Sequence, residues 1–231
     1  MILNRYNFFE LLKIKSWSSD RRVIFHHIHK TAGTSLEGLL AKWFLLQRDY
    51  DLVKEINSRP LFNINCRSGH YGYKKTKLSS SYPGCLDDDS FFVFTFLRNP
   101  LERTISHYHH WQKAGFEGLQ EISLEDFLLQ KSNYDWVNSI SNNWMARVLD
   151  VNESDYKKNL DKYAFIGIFE DLKQSIEILS KLLDKPIYQM PHKRKSEKKE
   201  LKVSKEVKEI FINNNKLDYA IYEYGLKRLK R

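Results

Sequence analysis

The chain has 231 residues, 42% of them hydrophobic and 14% aromatic, which is enough for one substantial core, and its formal net charge is +9. Its apolar runs fall far short of the roughly 20 residues that span a bilayer, its start "MILNRYNFFELLKIKSW" lacks the continuous hydrophobic region of a secretory signal, and Cys66 and Cys85 are too few for a disulfide framework or a metal set. Transmembrane, secreted disulfide-rich and metal-cluster classes are thereby excluded, leaving one domain over 1–231, expected in the cytoplasm and facing a polyanionic partner: nucleic acid, a phosphorylated cofactor, an acidic glycan or an anionic membrane surface.

In chain order, "RRVIFHHI" reads as a short buried strand. Leu36, Leu39, Leu40, Trp43 and Gln47 then fall on one helical stripe, predicting a helix over Thr34 to Arg48. Lys75 to Ser90 is rich in Ser, Gly, Pro and Asp and reads as a loop. "SFFVFTFL" is a second buried strand. Asn99 is suited to cap the helix that follows and Pro100 to be its first residue. On that helix Leu101, Ile105 and Tyr108 are expected to face the core, with Arg103, Ser106 and His110 opposite. "YAFIGIFEDLKQSIEILSKLL" repeats the strand-to-helix pattern, and three such units argue for an α/β fold with a central parallel sheet flanked by helices. The charge-dense "HKRKSEKKELKVSKE" lies nearer the end.

The junction "HIHKTAGTSLEGLL" carries the first chemical signal. A strand that turns through a glycine-containing loop into a helix presents unpaired backbone N–H groups and a positive dipole end, which together suit an anion. Lys30 adds a full charge, Gly33 permits close approach, and Thr31, Thr34 and Ser35 add hydroxyl donors. A Walker loop needs its lysine directly after the second glycine, whereas Lys30 precedes the glycine of this loop, so the cradle is wired differently.

"HIHKTAGTSL" resembles the 5′-phosphosulfate loop of sulfotransferases related to heparan sulfate 2-O-sulfotransferase, usually H-I-P-K-T-A-G-T-S-L, with His29 where the family has proline. "FVFTFLRNPLERTISHYHHW" is similar to the same family's 3′-phosphate motif, F-x-F-L-R-D-P-x-x-R-x-x-S-x-Y, with Asn99 in place of aspartate. "SGHYGY" matches its G-H-x-x-Y element, and "FIGIFEDLKQSIEIL" and "LDYAIYEYG" match later segments in the family's order. The resemblance covers most of the chain and points to a soluble, bacterial-like member of the carbohydrate sulfotransferase type, with a three-layer P-loop-like fold.

The resemblance implies 3′-phosphoadenosine 5′-phosphosulfate as donor, 3′-phosphoadenosine 5′-phosphate as product, and no metal. Lys30, Thr31, Ala32, Gly33, Thr34 and Ser35 would hold the 5′ end, Arg98 and Ser106 the 3′-phosphate, and Lys193 and Arg194 of "HKRK" a basic loop over it. Lys30 and His70 would serve the chemistry, His70 as base, with His70, His110, Asn142 and Arg147 near the acceptor. The acceptor implied is a saccharide or glycoconjugate; a tyrosyl-protein acceptor is the alternative within the class. From another class, a basic nucleic-acid-binding module would need exposed aromatics among its cations and a steep salt dependence. A small-molecule kinase is disfavoured by the missing Walker loop. Membrane association through the positive charge stays open.

Overall fold

A computed structural model describes residues 21–49, 65–72, 77–188 and 203–230. Its elements in chain order are β1 (Arg22–His26), α1 (Gly33–Trp43), β2 (Leu46–Arg48), β3 (Cys66–Gly69), α2 (Leu78–Ser81), β4 (Phe91–Leu97), α3 (Pro100–Lys113) and α4 (Leu124–Leu128). After them come α5 (Asp135–Ile140), α6 (Trp144–Leu149), α7 (Tyr156–Asp161), β5 (Phe165–Ile168), α8 (Leu172–Leu182), α9 (Lys205–Asn214) and α10 (Lys216–Leu229). Among these residues no helix is long and apolar enough to cross a membrane.

The five strands form one parallel sheet in the order β2-β3-β1-β4-β5. Helices cover both faces, so the inner strands are buried on each side and read as near-continuous apolar runs, as in "FFVFTFL". The α/β fold with a flanked parallel sheet is the one expected. Strand order also fixes where a ligand belongs. β1 has β3 on one side and β4 on the other; the chain leaves β1 toward β2 and leaves β4 toward β5, in opposite directions. The crevice between those two exits, at the carboxyl ends of the strands, is the topological switch point.

Asn99 caps α3 as anticipated, its side chain accepting from the Glu102 N–H at 3.2 Å, with Pro100 first in the helix. Two expectations are corrected. The helix anticipated over Thr34 to Arg48 ends at Trp43: Phe44 is extended, and Leu46 to Arg48 pair with Cys66 to Ser68 as an edge strand, which takes Gln47 off the helical stripe. The buried face of α3 is also rotated from the one anticipated. It carries Pro100, Arg103, Thr104, His107, Tyr108 and Trp111, while Leu101 and Ile105 are half-buried. The cause is the Arg103 guanidinium, fully enclosed and donating to Thr104 Oγ1 (2.7 Å) and the Ile140 carbonyl (2.8 Å), with His107 Nδ1 at 3.1 Å. The loop anticipated over Lys75 to Ser90 contains the short helix α2 within its described part.

Candidate active site

The loop from β1 into α1 is shaped by its backbone. Lys30 and Ala32 both adopt positive φ (70° and 74°), and Ala32 caps α1 through its carbonyl, which accepts from Ser35 and Leu36 N–H at 3.0 Å each. Thr34 and Ser35 therefore sit in the first turn and not at the cap, Thr34 exposed and Ser35 half-buried. Thr31 turns inward: its hydroxyl donates to the Ile28 carbonyl at 2.8 Å and is fully buried, so it braces the loop from within. Gly33 is required by packing, because a Cβ there would lie 1.6 Å from His27 Nε2.

That contact reverses the usual sign of a helix glycine substitution. Gly33→Ala should destabilise by about 1–3 kcal/mol, as overpacking does. Gly38→Ala on the exposed side of the same helix, with nothing within 4 Å, should stabilise by about 0.5–1 kcal/mol. Urea unfolding of the pair checks this, and equal effects would refute the packing account of Gly33.

Arg98 leaves the end of β4 and reaches across the switch point. Its Nη1 donates to the Lys30 carbonyl at 3.2 Å, its Cζ lies 4.3 Å from the centre of the Phe169 ring, and Glu102 is 3.8 Å from Nη2. Its Nε is buried without a hydrogen-bond partner. Burial, and then the neighbouring Arg98 charge, push the Lys30 ammonium below its ordinary pKa. Two neighbouring cations, one with a buried N–H that has no partner, are chemically suited to an anion. Ser106 is half-buried on α3, one turn beyond Glu102. Lys193 and Arg194 lie outside the described residues.

Beside this site four imidazoles form a column drawn from three segments. His27 and His29 follow β1, His70 follows β3, and His107 lies on α3. Ring centres are 4.2 Å apart for His27–His70, 3.5 Å for His29–His70 and 5.3 Å for His29–His107. Trp111 and Trp144 close the far end, 4.2 Å and 5.4 Å from His107. His70 Nδ1 is 2.7 Å from the His27 carbonyl, which can only accept, so Nδ1 carries the proton and the neutral ring keeps its lone pair on Nε2. Burial lowers the His70 pKa, partly opposed by that carbonyl and by Glu37. His29 is driven down to about 2, first by burial and then by His70 and Arg103. His110 is exposed on α3; burial and the Lys30 charge lower its pKa.

A cavity of about 290 Å3 opens next to the column, lined by Gly72, Asp135, Trp136, Ser139, Trp144 and Arg147. Trp144 is shared between the cavity wall and the histidines, and Arg147 lies one turn further along α6. The helix α6 is fixed from α10: Asp218 accepts from Met145 N–H (3.0 Å) and Ala146 N–H (2.8 Å). Asp218 is the aspartate of "LDYAIYEYG", and a motif alone could not show that it caps α6. Asn142 stands apart, exposed with its amide toward Gln130. A second cavity of about 310 Å3 lies against Tyr82, Cys85 and Tyr163, but its Lys77 and Lys162 are already paired with Asp150 and Asp87.

The parallel sheet thus brings a lysine loop and an arginine from adjacent strands to its switch point, where sheets of this kind bind their ligands. The chain belongs to the sulfotransferase family, whose family model matches residues 17–225, and it is a sulfotransferase enzyme. No curated protein matches it. Among solved structures, a sulfotransferase from Alicyclobacillus acidocaldarius is similar in fold, with a TM-score of 0.54 at 13% identity over 93% of this chain and 100% of that one.

Proposed function

We propose that the protein transfers the sulfuryl group of 3′-phosphoadenosine 5′-phosphosulfate to a hydroxyl of a saccharide or glycoconjugate, as a single-domain cytoplasmic enzyme resembling the 2-O-sulfotransferase branch. The observation that carries the reading is the Arg98 to Lys30 hydrogen bond, which makes one site of two anion-suited junctions. The buried partnerless Nε of Arg98 and the Arg98 charge beside Lys30 fit a ligand with two anionic groups.

In this reading the α1 first-turn N–H groups with Lys30, Thr34 and Ser35 hold the 5′ end, while Arg98 and Ser106 hold the 3′-phosphate. Bound there, the donor supplies an activated sulfuryl group and leaves as 3′-phosphoadenosine 5′-phosphate. Lys30 neutralises charge at the departing phosphate. His70 Nε2 holds a lone pair for the acceptor's hydroxyl proton, and the cavity lined by Trp136, Trp144 and Arg147 receives the acceptor. His110 stands at the open side of α3 as a further acceptor contact.

Arg98→Ala should cost about 1.5–3 kcal/mol in binding 3′-phosphoadenosine 5′-phosphate, the worth of a charge-assisted contact. Adenosine 5′-phosphosulfate, which lacks the 3′-phosphate, should bind wild type more weakly. Calorimetry with both ligands decides it. Equal affinities in wild type would refute the 3′-site, and a thermal shift with ATP as large as that with 3′-phosphoadenosine 5′-phosphate would refute the donor.

A further inference from the structure

We propose that His29 is a positioning residue: its ring lies flat on His70 and holds that imidazole in the one orientation in which Nδ1 donates to the His27 carbonyl. The inference rests on His70 serving as the base. The two ring centres are 3.5 Å apart with planes 14° from parallel, and the other face of His29 looks to His107 at 5.3 Å and 11°. Trp144 and Trp111 meet His29 edge-on at 5.8 Å and 6.3 Å. His29 is thus wedged between ring systems on α3 and α6 and is not free to turn away from His70.

The wedge accounts for the histidine where the resembling family has proline. Proline would stiffen the loop through its fixed φ but offers no aromatic face. An imidazole leaves φ adjustable and supplies a flat surface covering His70, which keeps water from one side of the base. His29 itself stays neutral: burial opposes its charge first, and Arg103 from α3 and Lys30 on its own loop add positive potential, as His70 after β3 and His110 from α3 do once protonated. Glu37 from α1 is the carboxylate that acts on His70. A neutral ring over His70 shields it in the resting enzyme and stacks on the imidazolium once a proton has been taken.

The test follows the His70 ring directly by nuclear magnetic resonance of its Cε1–H and ring nitrogens in nucleotide-free protein. In wild type, His70 should be the Nδ1–H tautomer and titrate below about 6.5. In His29→Ala, which admits water, its pKa should move up toward that value and both tautomers should appear, with kcat down about tenfold and affinity for 3′-phosphoadenosine 5′-phosphate unchanged. His29→Phe, which keeps a flat face without a titratable nitrogen, should stay near wild type in all three. If His29→Ala does not fold, His29→Ser serves in its place. A wild-type His70 that is the Nε2–H tautomer or titrates at its ordinary value overturns the proposal without any variant. So does an unchanged His70 pKa in His29→Ala, or a His29→Phe as impaired as His29→Ala. A His70→Ala variant with normal kcat, alongside the expected resonance shifts, would remove the base reading and leave the positioning intact.

Discussion

Acidification from about pH 8 to about pH 4.5 is expected to unfold the protein cooperatively, with stability falling by at least about 4 kcal/mol per pH unit once the pH is below about 6.5. His26, His27 and His107 are enclosed, at 1%, 7% and 0% exposure. Burial is the first cause of a lowered pKa in each, bringing His26 to about 4. Groups held below their unfolded value stay neutral in the fold and take up protons on unfolding. Their contribution is complete above the unfolded value of about 6.5 and is lost as pH falls from there toward the folded value. Each such histidine contributes a slope of about 1.4 kcal/mol per pH unit, so three exhaust a typical stability of about 5–15 kcal/mol within a few units. Asp218 opposes this: burial raises its pKa, so the fold binds its proton more readily than the unfolded chain does. His29, also held neutral by burial, adds a fourth imidazole, and one carboxyl against four does not change the sign. Urea unfolding at half-unit pH steps checks the slope, and His26→Gln should reduce it by one proton. A slope of one proton or less in wild type would mean that the buried histidines are not held neutral.

The sequence made the strand-to-helix junctions legible because their signals are local: an apolar run, then a glycine loop or an Asn99–Pro100 cap, then a helical stripe. Where it failed, the deciding partner was distant. Gln47 extends the stripe of α1 in one dimension, and only pairing with Arg67 in β3 shows that the chain has become a strand. Arg103 belongs by polarity on a wet face, yet its guanidinium is buried and donates to a carbonyl 37 residues away, an arrangement no periodicity encodes. The site divides in the same way. Lys30, Arg98 and His70 lie in motifs whose residue order carries meaning. The column of His27, His70, His29 and His107 is assembled by sheet order, since β3 and β4 flank β1. The repeated histidines of "HHIH" and the His107–Trp111 spacing were visible, but not that they meet.

His70→Ala is expected to lower kcat by about 10²–10⁴-fold, the usual range for a positioned general base, while the affinity for 3′-phosphoadenosine 5′-phosphate stays nearly unchanged. The separation follows from position. His70 leaves β3 and bonds to the His27 carbonyl, whereas Lys30 and Arg98, the cations proposed to hold the donor, come from the ends of β1 and β4 and do not depend on its ring. The wild-type pH profile should rise through the pKa of His70, because only the neutral ring can accept a proton. Since burial lowers that pKa, the acid limb should lie below the ordinary imidazole value of about 6.5. In the variant that limb should vanish. His70→Gln, which keeps a polar group but cannot take a proton at these pH values, should be as slow as His70→Ala, so that lost chemistry is separated from lost packing. The measurement is kcat against pH for the three proteins above the acid-unfolding range, with nucleotide affinity followed by calorimetry. A His70→Ala enzyme that keeps near-normal kcat with its acid limb in place would take His70 out of the reaction and direct the search to His27, His29 and His110.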